Sequence, residues 1–140
     1  IRVPKKNRIF YSFGKNNSFL IEGKNTKVLN CKKKTPNNEI IALTNHTNPP
    51  DIILKKLKNY GMTSFRKLSS SYKYCVIANG EFDIYADKVQ ANEWDDAAGH
   101  AIAEHAGALV TDLENNYFEY GREDYKNPTI LIRRSDDLNA

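Results

Sequence analysis

Glu93-Trp94-Asp95-Asp96-Ala97-Ala98-Gly99-His100-Ala101-Ile102, running on to Ala106-Gly107-Ala108-Leu109-Val110, is the stretch on which the fold turns. Ala97, Ala98, Ala101 and Ala103 are strong helix formers, and Gly107 stands where a helix closes before a short apolar run that reads as a strand. Asp95 and Asp96 fall in the first turn, where negative charge complements the positive end of the helix. A helix with so few bulky side chains approaches a neighbouring sheet closely. That holds Asp95 on a stiff support at the edge of the layer, with oxygens available to a hard cation. For an isolated Asp-Asp pair the plainer reading is an acidic turn that only stabilises a packed helix.

Upstream, Arg8 to Phe13 and Ser18 to Ile21 flank the turn-forming Gly14-Lys15-Asn16-Asn17 and predict a hairpin. Gly23 marks a second turn and Lys27-Val28-Leu29 a third strand. From Lys32 to Asn38 the composition becomes basic and polar around Pro36, which divides a β arm, residues 1–35, from an α/β body, residues 36–140. Glu39 to Leu43 predicts a buried strand, and Pro50-Asp51 opens a helix with Ile52, Ile53, Leu57 and Tyr60 on one side. Thr63 to Leu68 is a strand, Ser69 to Ser71 cap a helix through Ala78, and Phe82 to Tyr85 is a strand. Asp112 to Asn116 is a turn, Tyr117 to Tyr120 a short extended piece, and Thr129 to Ile132 a last strand. Strands alternating with helices predict an α/β fold, a mainly parallel sheet with helices on its faces, preceded by the antiparallel arm. Ligands of such sheets gather beyond the carboxyl ends of the strands. His46, Ser70 and Asp95 each follow a predicted strand or open a helix, so one edge can gather all three.

At 140 residues the chain buries one modest core. No apolar run approaches the length of a bilayer span, and Ile1-Arg2-Val3-Pro4-Lys5-Lys6 lacks the apolar middle of a signal peptide, so a cytoplasmic location is expected, with no membrane partner. Cys31, in a lysine-rich loop, and Cys75, in an apolar helical segment, have no zinc-like or redox spacing and are expected to be reduced thiols. Charge is unevenly placed. Residues 1–34 hold ten Lys/Arg against Glu22 alone, a balance of +9, which leaves −5 for the rest of a chain whose total is +4. The lysine runs have no aromatic interleaving suited to stacked bases, so no nucleic-acid partner is expected. A basic, strand-rich surface of this kind suits an acidic partner. His100 and His105 lie five apart, not the four of a helical zinc pair.

Trp94-Asp95-x-Ala97-Ala98-Gly99-x-Ala101-Ile102 followed by Ala106-Gly107-Ala108 resembles the C-terminal signature of the inositol monophosphatase superfamily of lithium-sensitive, magnesium-dependent phosphatases. Within it the chain is most similar to the 3'(2'),5'-bisphosphate nucleotidases of the bacterial CysQ type. Asn45-His46 stands where the family has Ser-His. Ser69-Ser70-Ser71-Tyr72-Lys73-Tyr74-Cys75 matches Gly-Ser-Ser-Leu-Lys-Phe-Cys, and Ala78-Asn79-Gly80-Glu81-Phe82-Asp83-Ile84-Tyr85 matches Ala-x-Gly-x-Ala-Asp-x-Tyr. The resemblance implies the fold of the C-terminal half of such an enzyme, with the β arm as the last strands of the preceding half's antiparallel sheet. It implies an adenosine 3',5'-bisphosphate-like ligand bound by His46, Ser70 and Lys73, and Mg2+ held in part by Asp95. Asp96, where the family tolerates other residues, is expected only to help the helix terminus.

Two departures bear on activity. The family's upstream acidic motifs, one reading Asp-Pro-Leu/Ile-Asp-Gly-Thr, have no counterpart, since the sequence contains no Asp-Pro or Asp-Gly dipeptide. Asp87 also replaces a phosphate-binding arginine, with Lys88 beside it as a substitute point charge. The expectation is therefore a C-terminal fragment or split-gene product, inactive or nearly so alone. One alternative is an interaction module that completes a phosphatase with a separate N-terminal half, or pairs with a second copy through its β arm. Another is an inositol monophosphatase-like substrate range.

Overall fold

The computed structural model describes residues 1–32, 39–88, 91–135 and 137–138, so the expected boundary between residues 35 and 36 lies outside them. Strands β1 (Arg2–Val3), β2 (Arg8–Ser12), β3 (Ser18–Glu22) and β4 (Asn25–Val28) form an antiparallel sheet in that order. The predicted hairpin is present, with Phe10 opposite Leu20. The third strand of the arm starts two residues earlier than predicted. Glu22 pairs with Asn25 across a two-residue turn in which Gly23 takes φ 63, a conformation open to glycine, and this sets β4 at Asn25.

The second sheet contains β5 (Ile40–Thr44), β6 (Met62–Lys67), β7 (Ile84–Asp87), β8 (Leu109–Thr111) and β9 (Ile130–Arg133), in the order β6-β5-β7-β9-β8. β5 is parallel to β6 and β7, whereas β9 is antiparallel to both β7 and β8. The sheet is therefore mixed, with one strand running against the other four. A parallel neighbour needs a crossover, usually a helix. The chain between β8 and β9 has none, so β9 returns in the opposite sense. Of the predicted extended piece Tyr117 to Tyr120, only Tyr117 pairs, in an isolated bridge with Thr111.

Helices α1 (Asp51–Asn59), α2 (Tyr72–Ala78) and α3 (Glu93–His105) complete the fold. Alternation along the mixed sheet sends Ala42, Ile84, Ala86 and Leu131 toward Ile53, Leu57 and Tyr60 of the α1 side. It sends Leu43, Tyr85, Ile130 and Ile132 toward Tyr74, Val76, Ile77 and Ala103 of α2 and α3. The far side of α2 and α3 offers Cys75, Ala78, Ile102 and Ala106 to Phe10, Leu20 and Leu29 of the arm. The layers run antiparallel sheet, α2 with α3, mixed sheet, α1. Ile52, expected on the buried stripe, is 54% exposed. It lies about 100° around the helix from Ile53, outside the face that Ile53, Leu57 and Tyr60 share.

Cys31 is fully buried despite its basic neighbours, and its thiol donates to the carbonyls of Ala106 (3.1 Å) and Arg134 (2.9 Å). Both cysteines are free. Among the described residues no helix is long and apolar enough to cross a membrane.

Candidate phosphate site

A cavity of about 320 Å³ opens where β5, β6 and β7 end, between the loops that follow them and the first turn of α3. Ser70, Lys73 and Asp95, three of the four residues expected to meet ligand or metal, line it together with Asn45, Asp96 and Tyr85. The cavity lies beyond the carboxyl ends of the parallel strands, where ligands of such sheets gather. His46 is not among the residues lining the cavity. It sits half-exposed on the loop after β5, with Nε2 3.8 Å from Asp87 Oδ1.

Lys73 is the centre of the site. Its side chain is 9% exposed, 3.7 Å from Asp96 Oδ1, and its ammonium lies 4.9 Å from the Tyr85 ring centre and 5.2 Å from that of Tyr74. Burial lowers its pKa from the usual lysine value of 10.5, against the upward pull of Asp96, Asp87 and Asp95. Asp96 thus corrects the expectation of a mere helix-terminus charge. It is 1% exposed, accepts a hydrogen bond from Asn127 Nδ2 at 2.9 Å and supplies the counter-ion of Lys73.

The terminus role belongs instead to Asp95, whose Oδ2 accepts from the Asn92 backbone N–H at 3.0 Å, three residues back. Ser70 caps in a similar way, its Oγ accepting from Tyr72 N–H at 3.3 Å at the start of α2. Asn45 and Asp87 escaped the sequence reading as a pair. Asp87 is 2% exposed, and its Oδ2 accepts from Asn45 N–H at 3.0 Å and its Oδ1 from Lys88 N–H at 2.6 Å. The acid in the arginine's place therefore ties the end of β7 to the loop after β5. Lys88 turns to a different groove, shared with Lys55 and Lys56 on the α1 side, and does not line the candidate site.

Chemically, the cavity offers an anion one buried ammonium and the hydroxyls of Ser69, Ser70 and Ser71. An entering phosphate would compete with Asp96 for Lys73. Magnesium takes six oxygens, commonly one or two carboxylates with water and substrate phosphate making up the rest. With Asp95 Oδ2 committed to Asn92, Oδ1 remains for a cation, while the Asp96 oxygens face Lys73 and Asn127. Among the described residues no group of three or more His, Cys, Asp or Glu side chains is arranged to hold a metal ion. The residues present fit one ligand of a magnesium shell and not a multi-ion cluster.

Comparison with known proteins agrees with this architecture. The 3'(2'),5'-bisphosphate nucleotidase CysQ of Salmonella typhimurium is 34% identical over 94 residues, 66% of this chain and 37% of that protein. The CysQ of Escherichia coli strain K12 is 34% identical over 95 residues, 60% of this chain and 39% of that protein. The crystal structure of CysQ from Bacteroides thetaiotaomicron superposes with a TM-score of 0.79 at 21% identity, covering 94% of this chain and 55% of that one. The chain thus spans only part of the length of these relatives. With the description of the inositol monophosphatase family matching residues 1–139, the chain belongs to the inositol monophosphatase family.

Proposed function

We propose that this chain forms the ligand-holding part of a magnesium-dependent 3'(2'),5'-bisphosphate nucleotidase, a hydrolase of phosphate monoesters such as adenosine 3',5'-bisphosphate. The observation that carries the reading is the convergence of Ser70, Lys73 and Asp95 on one cavity at the strand ends, with Lys73 buried and already paired to an acid. A buried ammonium with a replaceable counter-ion favours an incoming phosphate, which brings more negative charge than the carboxylate it displaces. His46, on the loop after β5 and 3.8 Å from Asp87, is the residue we assign to the nucleotide rather than to the phosphate held by Lys73.

When bound, Mg2+ supplies charge neutralisation at phosphorus and a more acidic water. Asp95 is the ligand this chain contributes, and further carboxylates come from outside these residues. Alone, the 140 residues therefore bind nucleotide and turn it over little or not at all. We assign the protein to the cytoplasm, where its two buried thiols stay reduced.

Titration of the purified chain with adenosine 3',5'-bisphosphate, with and without Mg2+, tests this. Binding is expected, weakened at least about tenfold, or 1.4 kcal/mol, by Lys73→Met. Asp95→Asn is expected to remove only the part of the affinity that Mg2+ adds. Equal binding to Lys73→Met overturns the site assignment, and magnesium-dependent phosphate release by the isolated chain overturns the division of labour. Inositol 1-phosphate is the comparison ligand: preference for it would move the reading to the inositol monophosphatase branch.

A further inference from the structure

Two residues are absorbed neither by the core nor by the phosphate site. Ile52 is 54% exposed although the next residue, Ile53, is buried, and Lys88 turns away from the phosphate cavity. Both line a single groove of about 830 Å³ between α1 and the segment that joins β8 to β9. It opens on the α1 side of the mixed sheet, opposite the helix layer and the antiparallel sheet, and shares no lining residue with the phosphate cavity. Pockets for small ligands span about 300–1,000 Å³, and the groove falls within that range.

Helical spacing builds one wall. Positions 52, 55, 56 and 59 recur at intervals of three and four, so Ile52, Lys55, Lys56 and Asn59 share one face of α1. Lys88 follows the end of β7 and adds a third ammonium from the sheet. Among the described residues none of these three lysines is in an ion pair. Lys56 is held along the wall by the Tyr60 ring, whose centre lies 5.8 Å from its ammonium. Tyr60 Oη in turn donates to Asn115 Oδ1 at 3.3 Å, which leaves Asn115 Nδ2 as a further donor at the groove. Against these donors the lining sets one carboxylate, Glu114. Like charges gathered about one space repel each other, and an oxyanion among them relieves the repulsion. A phosphate monoester carries nearly two charges and three acceptor oxygens on one phosphorus, enough to meet three ammonium groups together. Ile52 and the nearly buried Leu113 give the same groove an apolar part.

We propose that this groove is a second ligand site, which takes a small organic phosphate. Its phosphate lies among Lys55, Lys56 and Lys88, and its apolar body rests on Ile52 and Leu113.

The test uses the whole chain with 1-naphthyl phosphate, a flat apolar body bearing one phosphate dianion, followed by backbone amide chemical shifts at low salt. Shifts are expected at Ile52, Lys55, Lys88 and Asn115, in the native chain and equally in Lys73→Met, whose phosphate cavity has lost its ammonium. Lys55→Gln combined with Lys88→Gln, both at exposed positions, is expected to weaken this binding at least about tenfold and leave the thermal melt unchanged. Inorganic phosphate and uncharged 1-naphthol are each expected to bind at least about tenfold more weakly than the ester, since each makes half of the contact. Shifts confined to the phosphate cavity and lost in Lys73→Met overturn the proposal. So do an unchanged affinity in the double glutamine variant, inorganic phosphate binding as tightly as the ester, and no binding by the folded chain at millimolar probe. Because Lys73→Met separates the two sites, failure of this groove is distinguishable from failure of the phosphate site.

Discussion

Asp95 and Asp96 are neighbours in sequence with opposite fates, because adjacent helical residues point about 100° apart. One caps the helix at the cavity edge, and the other is buried against Lys73 and Asn127. The motif was legible in the sequence. Which carboxylate went inward was not, since the choice depends on Asn127, thirty-one residues away in sequence. His100 is a further buried polar group on the same helix, its Nδ1 2.7 Å from Tyr120 Oη and its Nε2 3.8 Å from Glu104. Burial lowers its pKa below the usual 6.5, outweighing the upward pull of Glu104 and Asp96. The unfolded chain takes up this proton at pH 6.5, whereas the folded chain does so only at lower pH. Between the two values the unfolded state binds more protons, so stability is lost as pH falls through that window and levels off below it. Urea melts across this window are expected to show the loss in the native chain and a smaller one in His100→Asn. An unchanged pH dependence in the variant would assign the effect to other groups.

At the scale of elements, the contact between α2 and α3 brings Lys73 of one helix against Asp96 of the other. Gly99 makes that contact possible. A Cβ built there would stand 2.7 Å from Tyr74 Cγ and closer still to Cδ2, and Tyr74 is fully buried. In an open helix Gly→Ala stabilises by about 1 kcal/mol. Here overpacking against a ring with no room to retreat opposes that gain, and Gly99→Ala is expected to cost about 1–3 kcal/mol net in a denaturant melt. Tyr74→Leu in the same chain should recover part of it; a stabilised single variant would mean the two helices part easily. The hairpin, α1, α2 and α3 were legible because their apolar periods and turn residues are local. The direction of β9 and the edges of β4 were not, being set by the missing crossover and by the turn at Gly23. Ser70 and Lys73 were legible as a spacing, but the burial of Lys73 follows from Tyr74, Tyr85 and Asp96 closing around it.

For the whole molecule, the sequence suggests an arm and a body, while the packing joins them. Phe10, Leu20 and Leu29 share a core with Cys75, Ile102 and Ala106, and Cys31 lies in the core of α2, α3 and the mixed sheet. Removing the arm would bare one whole side of the helix layer. We therefore expect the arm and body to unfold in a single cooperative step, and the two thiols report on it from different interfaces. Burial pushes the thiol of Cys31 up to about 11 and that of Cys75 up to about 12, and neither is exposed, so both are inert toward thiol reagents in the folded chain. In the single-cysteine variants Cys31→Ala and Cys75→Ala, labelling under native conditions should then proceed at one common rate, limited by global unfolding and accelerated equally by urea. An arm that lifts by itself would expose Cys75, which faces it, and would also pull Cys31, an arm residue, away from Ala106 and Arg134. Labelling of both thiols faster than global unfolding, with weaker urea dependence, would therefore divide the chain into two units and restore the boundary that the basic linker suggests.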